Sequence, residues 1–125
     1  MPLSKMTAGV FGAVYTLVGI LGFFGPLAPD GNLLGIFPIS PLHNVVHLLV
    51  GLTGLGVFFL APTMARGWAQ AFGAVLGLLG VTGIIISNLF DVLPIGGFDI
   101  VLHAASAAVL LYVGFAGESR QSATA

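Results

Sequence analysis

The sequence contains no cysteine and very little charge of either sign. The absence of cysteine excludes disulfide bonds, thiolate metal ligands and a cysteine nucleophile. Charged residues make up 6% of the chain, whereas a soluble domain carries about 25%. The net charge is −1, with three basic residues in the whole chain. Nucleic-acid binding requires a basic patch or stripe, so we expect no nucleic-acid partner. A soluble fold of this composition cannot cover its surface with polar groups, which indicates a lipid bilayer as its surroundings.

Long apolar runs take the place of the missing charge. Hydrophobic residues account for 58% of the chain and the mean hydropathy is +1.14. Four apolar segments, at about 6–24, 42–61, 68–87 and 99–117, approach the ~20 residues that a membrane-spanning helix needs. Because a spanning segment must satisfy its own backbone hydrogen bonds, each segment is predicted to be a helix.

The two halves of the chain resemble each other. Residues 32–47 match residues 88–103 at an offset of 56, and residues 11–22 match residues 72–83 at an offset of 61. Self-similarity of this kind indicates a repeated structural unit. We therefore predict one domain over 1–125, an all-α integral membrane four-helix bundle. It is built from two parallel two-helix repeats, at about 6–61 and 68–117, related by an axis along the membrane normal.

The few basic residues predict the orientation. Lys5, Arg66 and Arg120 fall on one side of a four-helix arrangement, and that side is expected to be cytoplasmic. Both termini should therefore lie in the cytoplasm.

Glycine is abundant, with 19 residues. Small residues allow membrane helices to approach closely, so several glycines are expected to pack the bundle or, alternatively, to form a face for an oligomer or partner: Gly12, Gly19, Gly22, Gly73, Gly77 and Gly80.

A polar group of five residues interrupts the apolar segments: His43, Asn44, His47, Asp99 and His103. His43 and His47 are four residues apart, as are Asp99 and His103, so each pair shares a helix face. The repeat makes His47 equivalent to His103 and predicts that the two faces oppose each other. Ionisable residues inside a membrane are costly, and they indicate a functional site by default.

Three interpretations of this group remain open. In the first, the group is structural: Asp99 caps its helix, and His47 and His103 donate hydrogen bonds to carbonyls of the outer loops. In the second, His43, His47, Asp99 and His103 bind a metal ion such as Zn²⁺, Cu or Fe. In the third, His47 or His103 ligates a tetrapyrrole, either a haem or a chlorophyll-type pigment.

No catalytic site is expected. HNVVH has the histidine spacing of a zinc-protease helix, but Asn44 stands where that chemistry needs the general-base Glu. The deeper hydroxyls of Thr53, Thr82 and Ser106 are expected to bond to their own helices.

The segments SPLHNVVHLLVGL and GGFDIVLHAASA resemble a bacterial family of small four-helix membrane proteins catalogued as domain of unknown function 4383. The resemblance rests on an HN-x-x-H-L-L-x-G run and a later D-x-x-LH, formed by His43, Asn44, His47, Leu48, Leu49 and Gly51 and by Asp99, Leu102 and His103. It implies the four-helix topology and a bacterial inner-membrane location, and it implies no catalytic residues.

The sequence thus predicts a non-enzymatic membrane protein. Its expected role is a structural or accessory subunit of a larger membrane complex, or a homo-oligomer, with the bilayer and a protein as partners. The alternative is a protein that binds a metal ion or a tetrapyrrole through the histidines at the outer face.

Overall fold

The computed structural model describes residues 1–27, 32–33, 37–38, 40–85 and 98–116. Within these ranges, side chains are described except at 27, 32–33, 37–38, 83–84 and 98–99. The described chain contains four α-helices: α1 (Leu3–Leu21), α2 (Pro41–Leu60), α3 (Ala65–Ile85) and α4 (Phe98–Phe115). The predicted all-α architecture with four helices is confirmed.

Two short 3-10 helices and one minimal strand pair complete the described elements. The 3-10 helices are Gly25–Leu27 and Pro62–Met64. The strands β1 (Asn32–Leu33) and β2 (Phe37–Pro38) pair antiparallel, with Asn32 opposite Pro38. No strand was predicted there, because two-residue strands leave no alternating apolar pattern to detect.

The helix boundaries differ from the apolar segments by a few residues. α1 begins three residues before its predicted start and ends at Leu21, with Gly22 as its C-cap, rather than at residue 24. α3 includes Arg66, which was assigned to the preceding link. Both differences arise because hydropathy reports apolar side chains, whereas helix ends depend on backbone hydrogen bonds.

The helices associate as two antiparallel pairs. In the first pair, Gly12 of α1 lies against Leu55 of α2 and Gly19 lies against Leu48. The Lys5 ammonium, near the start of α1, lies 5.3 Å from the ring centroid of Phe58, near the end of α2. Residues near the start of α1 therefore contact residues near the end of α2, so the two helices run antiparallel.

The second pair, α3 with α4, is also antiparallel. Gly73 contacts Leu111, and a Cβ built on Gly77 would lie 3.5 Å from that of Ala107. Glycines at these positions let the two helix backbones approach each other closely, because no side chain separates them.

Polar contacts fasten the end of the bundle that carries the α2–α3 link. The indole N–H of Trp68 donates to Thr53 Oγ1 at 3.0 Å. Arg66 Nε and Gln70 Nε2 both donate to the carbonyl of Gly114, at 2.7 and 2.8 Å. The bonds from Arg66 and Gln70 supply hydrogen-bond donors to the Gly114 carbonyl. This carbonyl lies in the last turn of α4, where carbonyls lack N–H partners within the helix.

Candidate functional site: a buried histidine cluster

The start of α2 is set by a local capping arrangement. Ser40 is the N-cap in extended conformation, and its side chain accepts a 3.1 Å hydrogen bond from the backbone N–H of His43. Pro41 follows at the first helical position, where its fixed φ suits the helix and its missing N–H costs nothing. The sequence Ser-Pro-Leu-His thereby places His43 in the first turn of α2 and His47 one turn further.

Three histidines from two helices meet in the interior. The ring centroids of His43 and His47 are 4.3 Å apart, and the ring of His103 on α4 lies 5.7 Å from His43 and 6.1 Å from His47. One ring nitrogen of each histidine can be chosen so that all three lie within 4.8 Å of one another. These are all the histidines of the chain.

The cluster is closed to solvent. His43 is 0% exposed, and His47 and His103 are each 1% exposed. Neither ring nitrogen of His47 has a hydrogen-bond partner among the described residues. An unsatisfied buried polar atom costs about 1–3 kcal/mol, so His47 occupies a position that protein contacts alone do not explain.

Asn44, the fourth predicted site residue whose side chain is described, does not share this arrangement. Asn44 is buried, but its side chain packs against Gly22 of α1. Its Oδ1 has no hydrogen-bond partner among the described residues. Asp99 occupies the second position of α4, and its side chain lies outside the described part of the structure.

A tyrosine and a serine adjoin the cluster, and neither was predicted to belong to the site. Tyr15 of α1 is 1% exposed, and its ring meets that of His47 edge-on at a centroid distance of 5.5 Å. Its hydroxyl donates to Ser106 Oγ of α4 at 2.8 Å. Ser106 was expected to bond within its own helix, as Thr53 and Thr82 do.

Comparison of the two halves of the sequence could have pointed to Tyr15 and Ser106. At an offset of 61, Tyr15 corresponds to Leu76, and at an offset of 56, Ser106 corresponds to Val50. Both counterparts are buried and apolar. A polar residue that replaces a buried apolar one in only one half of a repeat marks a position where the two halves differ in contacts.

The chain matches one family model over residues 5–116, from the first turns of α1 to the residue after α4. The chain belongs to the family described as Domain of unknown function (DUF4383). No match was found among curated proteins or among solved structures. The DUF4383 assignment therefore covers nearly the whole bundle and supplies no activity.

The cavity beside the cluster is small. It lies between α1 and α4, has a volume of about 200 Å³ and is lined by Val10, Phe11, Val14, Tyr15, Leu102 and Ser106. Pockets for drug-sized molecules measure about 300–1,000 Å³, and a tetrapyrrole is larger than most such molecules.

Proposed function

We propose that this DUF4383 protein is a non-enzymatic integral membrane protein whose buried histidine cluster binds one transition-metal ion. The observation that carries the proposal is the convergence of His43, His47 and His103, with a nitrogen from each within 4.8 Å of the others. Imidazole is a common ligand of zinc, copper, iron and nickel.

The surface of the bundle supports the membrane location. α1 and α2 are long and apolar enough to cross a membrane by length and composition. At 1.5 Å per residue, the 21 residues of α3 and the 18 of α4 also approach the ~30 Å of a hydrocarbon core. Large apolar side chains are exposed on all four helices, among them Leu17, Leu52, Leu78 and Val101. Lipid is the solvent in which such exposure costs least.

The charges and the helix pairing support the finer topology. Lys5 and Arg66 lie at the end of the bundle that carries the α2–α3 link, opposite the histidines, which begin α2 and α4. We place this end in the bacterial cytoplasm, with both termini, by the positive-inside rule. The pairs α1–α2 and α3–α4 would then be the two parallel repeats.

The polar chemistry of His47 supports a metal ligand over a structural residue. A neutral imidazole has one N–H donor and one acceptor nitrogen, and His47 satisfies neither within the described residues. A metal ion bound to the acceptor nitrogen would remove part of the free-energy cost of burying an unsatisfied polar atom. In the structural interpretation, His47 would donate to a carbonyl, and the described residues provide no such bond.

Metal analysis tests the proposal directly. The protein, purified in mild detergent and stripped with a chelator, is loaded separately with Zn²⁺ and with Cu⁺ and passed over a desalting column. We expect one ion per chain in the wild type and its loss in His47→Leu and His103→Leu. Gln70→Leu, a polar-to-apolar change at the opposite end of the bundle, is the control and should retain the ion. A wild type that retains neither metal would overturn the proposal.

An accessory role in a larger complex, or as a homo-oligomer, is the second candidate. It is favoured by the form of the bundle, because the residues between α2 and α3 amount to the short segment 61–64. This link offers a partner little surface, so we expect a partner to contact the helices themselves. Cross-linking in native membranes followed by mass spectrometry tests this role; a chain that stays monomeric and uncross-linked would remove it.

A further inference from the structure

We propose that Tyr15 is a positioning residue of the metal site. Its ring seats the imidazole of His47, and its hydroxyl, bonded to Ser106, sets the placement of α4 against the other ligand-bearing helix. This inference rests on the proposed metal-binding function and names the contact that controls how tightly the same site holds its ion.

The site is divided between the two helix pairs. α2, which carries two of the histidines, packs closely on α1 at Gly12 and Gly19. α4, which carries His103, packs on α3 at Gly73 and Gly77. The distance of His103 from the other two rings therefore depends on how one pair is placed against the other, and not on the packing within either pair.

Tyr15 contacts both pairs. Its ring meets that of His47 edge-on, with a centroid distance of 5.5 Å and an interplanar angle of 68°. Its hydroxyl donates to Ser106 Oγ of α4 at 2.8 Å. Ser106 follows His103 by three residues, so the two share a face of α4. One side chain of α1 thus joins a ligand on α2 to the helix face that carries the ligand on α4.

Tyr15 is itself held in place. It is 1% exposed, and Ser106 is 5% exposed, so the bond between them is shielded from water. One turn earlier on α1, the ring of Phe11 stacks on that of Tyr15 at a centroid distance of 6.2 Å and an interplanar angle of 14°. A ring fixed at its face and at its hydroxyl is a rigid support for the imidazole that it contacts.

Small displacements are decisive for a metal site. The three imidazole nitrogens lie within 4.8 Å of one another, whereas the distances from a metal ion to its ligands are set to within about 0.2 Å. Groups that orient metal-binding histidines typically change metal affinity by about 10–100-fold when they are replaced. The bond from Tyr15 to Ser106 holds α4 within this tolerance, and we expect its removal to weaken binding.

Competition titrations of the full chain in detergent test the inference, with whichever of Zn²⁺ and Cu⁺ the wild type retains. Zn²⁺ is titrated against a chromophoric chelator, and Cu⁺ is titrated under reductant against bathocuproine disulfonate. Tyr15→Phe keeps the ring and removes the hydroxyl, and it should bind the ion about 10-fold more weakly. Ser106→Ala should show a similar loss. The double variant should lose no more than either single variant, because all three lack the same bond.

Two further variants separate positioning from general weakening of the fold. Thr53→Val removes another hydrogen bond between helices, which Trp68 donates at 3.0 Å, and it should change the affinity by less than about threefold, well under one decade. Ser106→Thr keeps a hydroxyl at position 106 and should hold the affinity within the same range.

The outcomes distinguish this inference from the function on which it rests. A wild type that retains neither ion would overturn the proposed function. A wild type that binds an ion as tightly as Tyr15→Phe and Ser106→Ala would overturn the positioning role and leave the metal site intact. An equal loss in Thr53→Val would also overturn that role, because the affinity would then follow the overall stability of the bundle.

Discussion

The hydroxyl of Tyr15 donates a 2.8 Å hydrogen bond to Ser106 Oγ, linking α1 to α4 across the interior of the bundle. At the sequence offsets of 61 and 56, Tyr15 aligns with Leu76 and Ser106 aligns with Val50, and both of these residues are buried and apolar. The bond lies beside the ring of His47, which Tyr15 meets edge-on at a centroid distance of 5.5 Å.

Replacement of Tyr15 by Phe should destabilise the protein in detergent by about 0.5–1.5 kcal/mol, because one buried hydrogen bond is lost. Tyr112, which is 61% exposed on α4, provides the control: Tyr112→Phe should stay within about 0.5 kcal/mol of wild type. The measurement is denaturant unfolding in mixed micelles. A double-mutant cycle with Ser106→Ala should show coupling between the two positions; strictly additive effects would argue against an energetically significant bond.

Replacement of His47 by Leu should leave the stability of the metal-free protein unchanged or raise it. Neither ring nitrogen has a hydrogen-bond partner among the described residues, and an apolar side chain removes the cost of burying them. Thermal unfolding of the chelator-stripped wild type and variant gives the comparison. A loss of about 1–3 kcal/mol in the metal-free variant would instead support a histidine that pins an outer-loop carbonyl.

Addition of the metal ion that the wild type retains should raise the thermal stability of the wild type and leave that of His47→Leu unchanged. A ligand that binds only the folded state adds about 2.7 kcal/mol at a free concentration of 100 times its Kd. Thermal melts with and without the ion, followed by addition of chelator, measure this gain and its reversal. Equal stabilisation of wild type and variant would show that the ion binds elsewhere.

Two glycines of α2 should respond differently to substitution by alanine. A Cβ on Gly51 would collide with the backbone of Thr16 on α1, whereas a Cβ on Gly56 would meet nothing within 4 Å. Overpacking against a backbone costs about 1–3 kcal/mol, so Gly51→Ala should lower the melting temperature. Gly56→Ala, five residues along the same helix, is the control and should be neutral or slightly stabilising. Equal effects at both positions would contradict the close contact of α1 with α2.

The topology can be read with paired reporters. Because Lys5, Arg66 and Arg120 are expected on the cytoplasmic side, a fusion at the C-terminus should activate only a cytoplasmic reporter. A truncated fusion after Gly25, beyond the end of α1, should activate only a periplasmic one. A periplasmic signal from the C-terminal fusion would contradict four membrane crossings.

The sequence by itself determined the existence and type of the helices. Long apolar runs without charge can satisfy their backbones in lipid only as helices, and the Ser-Pro start of α2 follows from local capping. The spacing of His43 and His47 was likewise a local property, since residues four apart share a face of any α-helix.

Only the tertiary structure decided how closely the side chains of different helices approach. The repeat predicted that the faces of His47 and His103 oppose each other, but the distances between the three rings depend on how α4 is rotated and positioned against α2. Asn44 was grouped with the histidines from its neighbourhood in the chain, yet it packs against Gly22 of α1, because adjacent helical residues point about 100° apart. The bond between Tyr15 and Ser106 also depends on the packing of α1 against α4. Patterns in a sequence report the period within one helix, whereas contacts between helices depend on the fit of all their surfaces together.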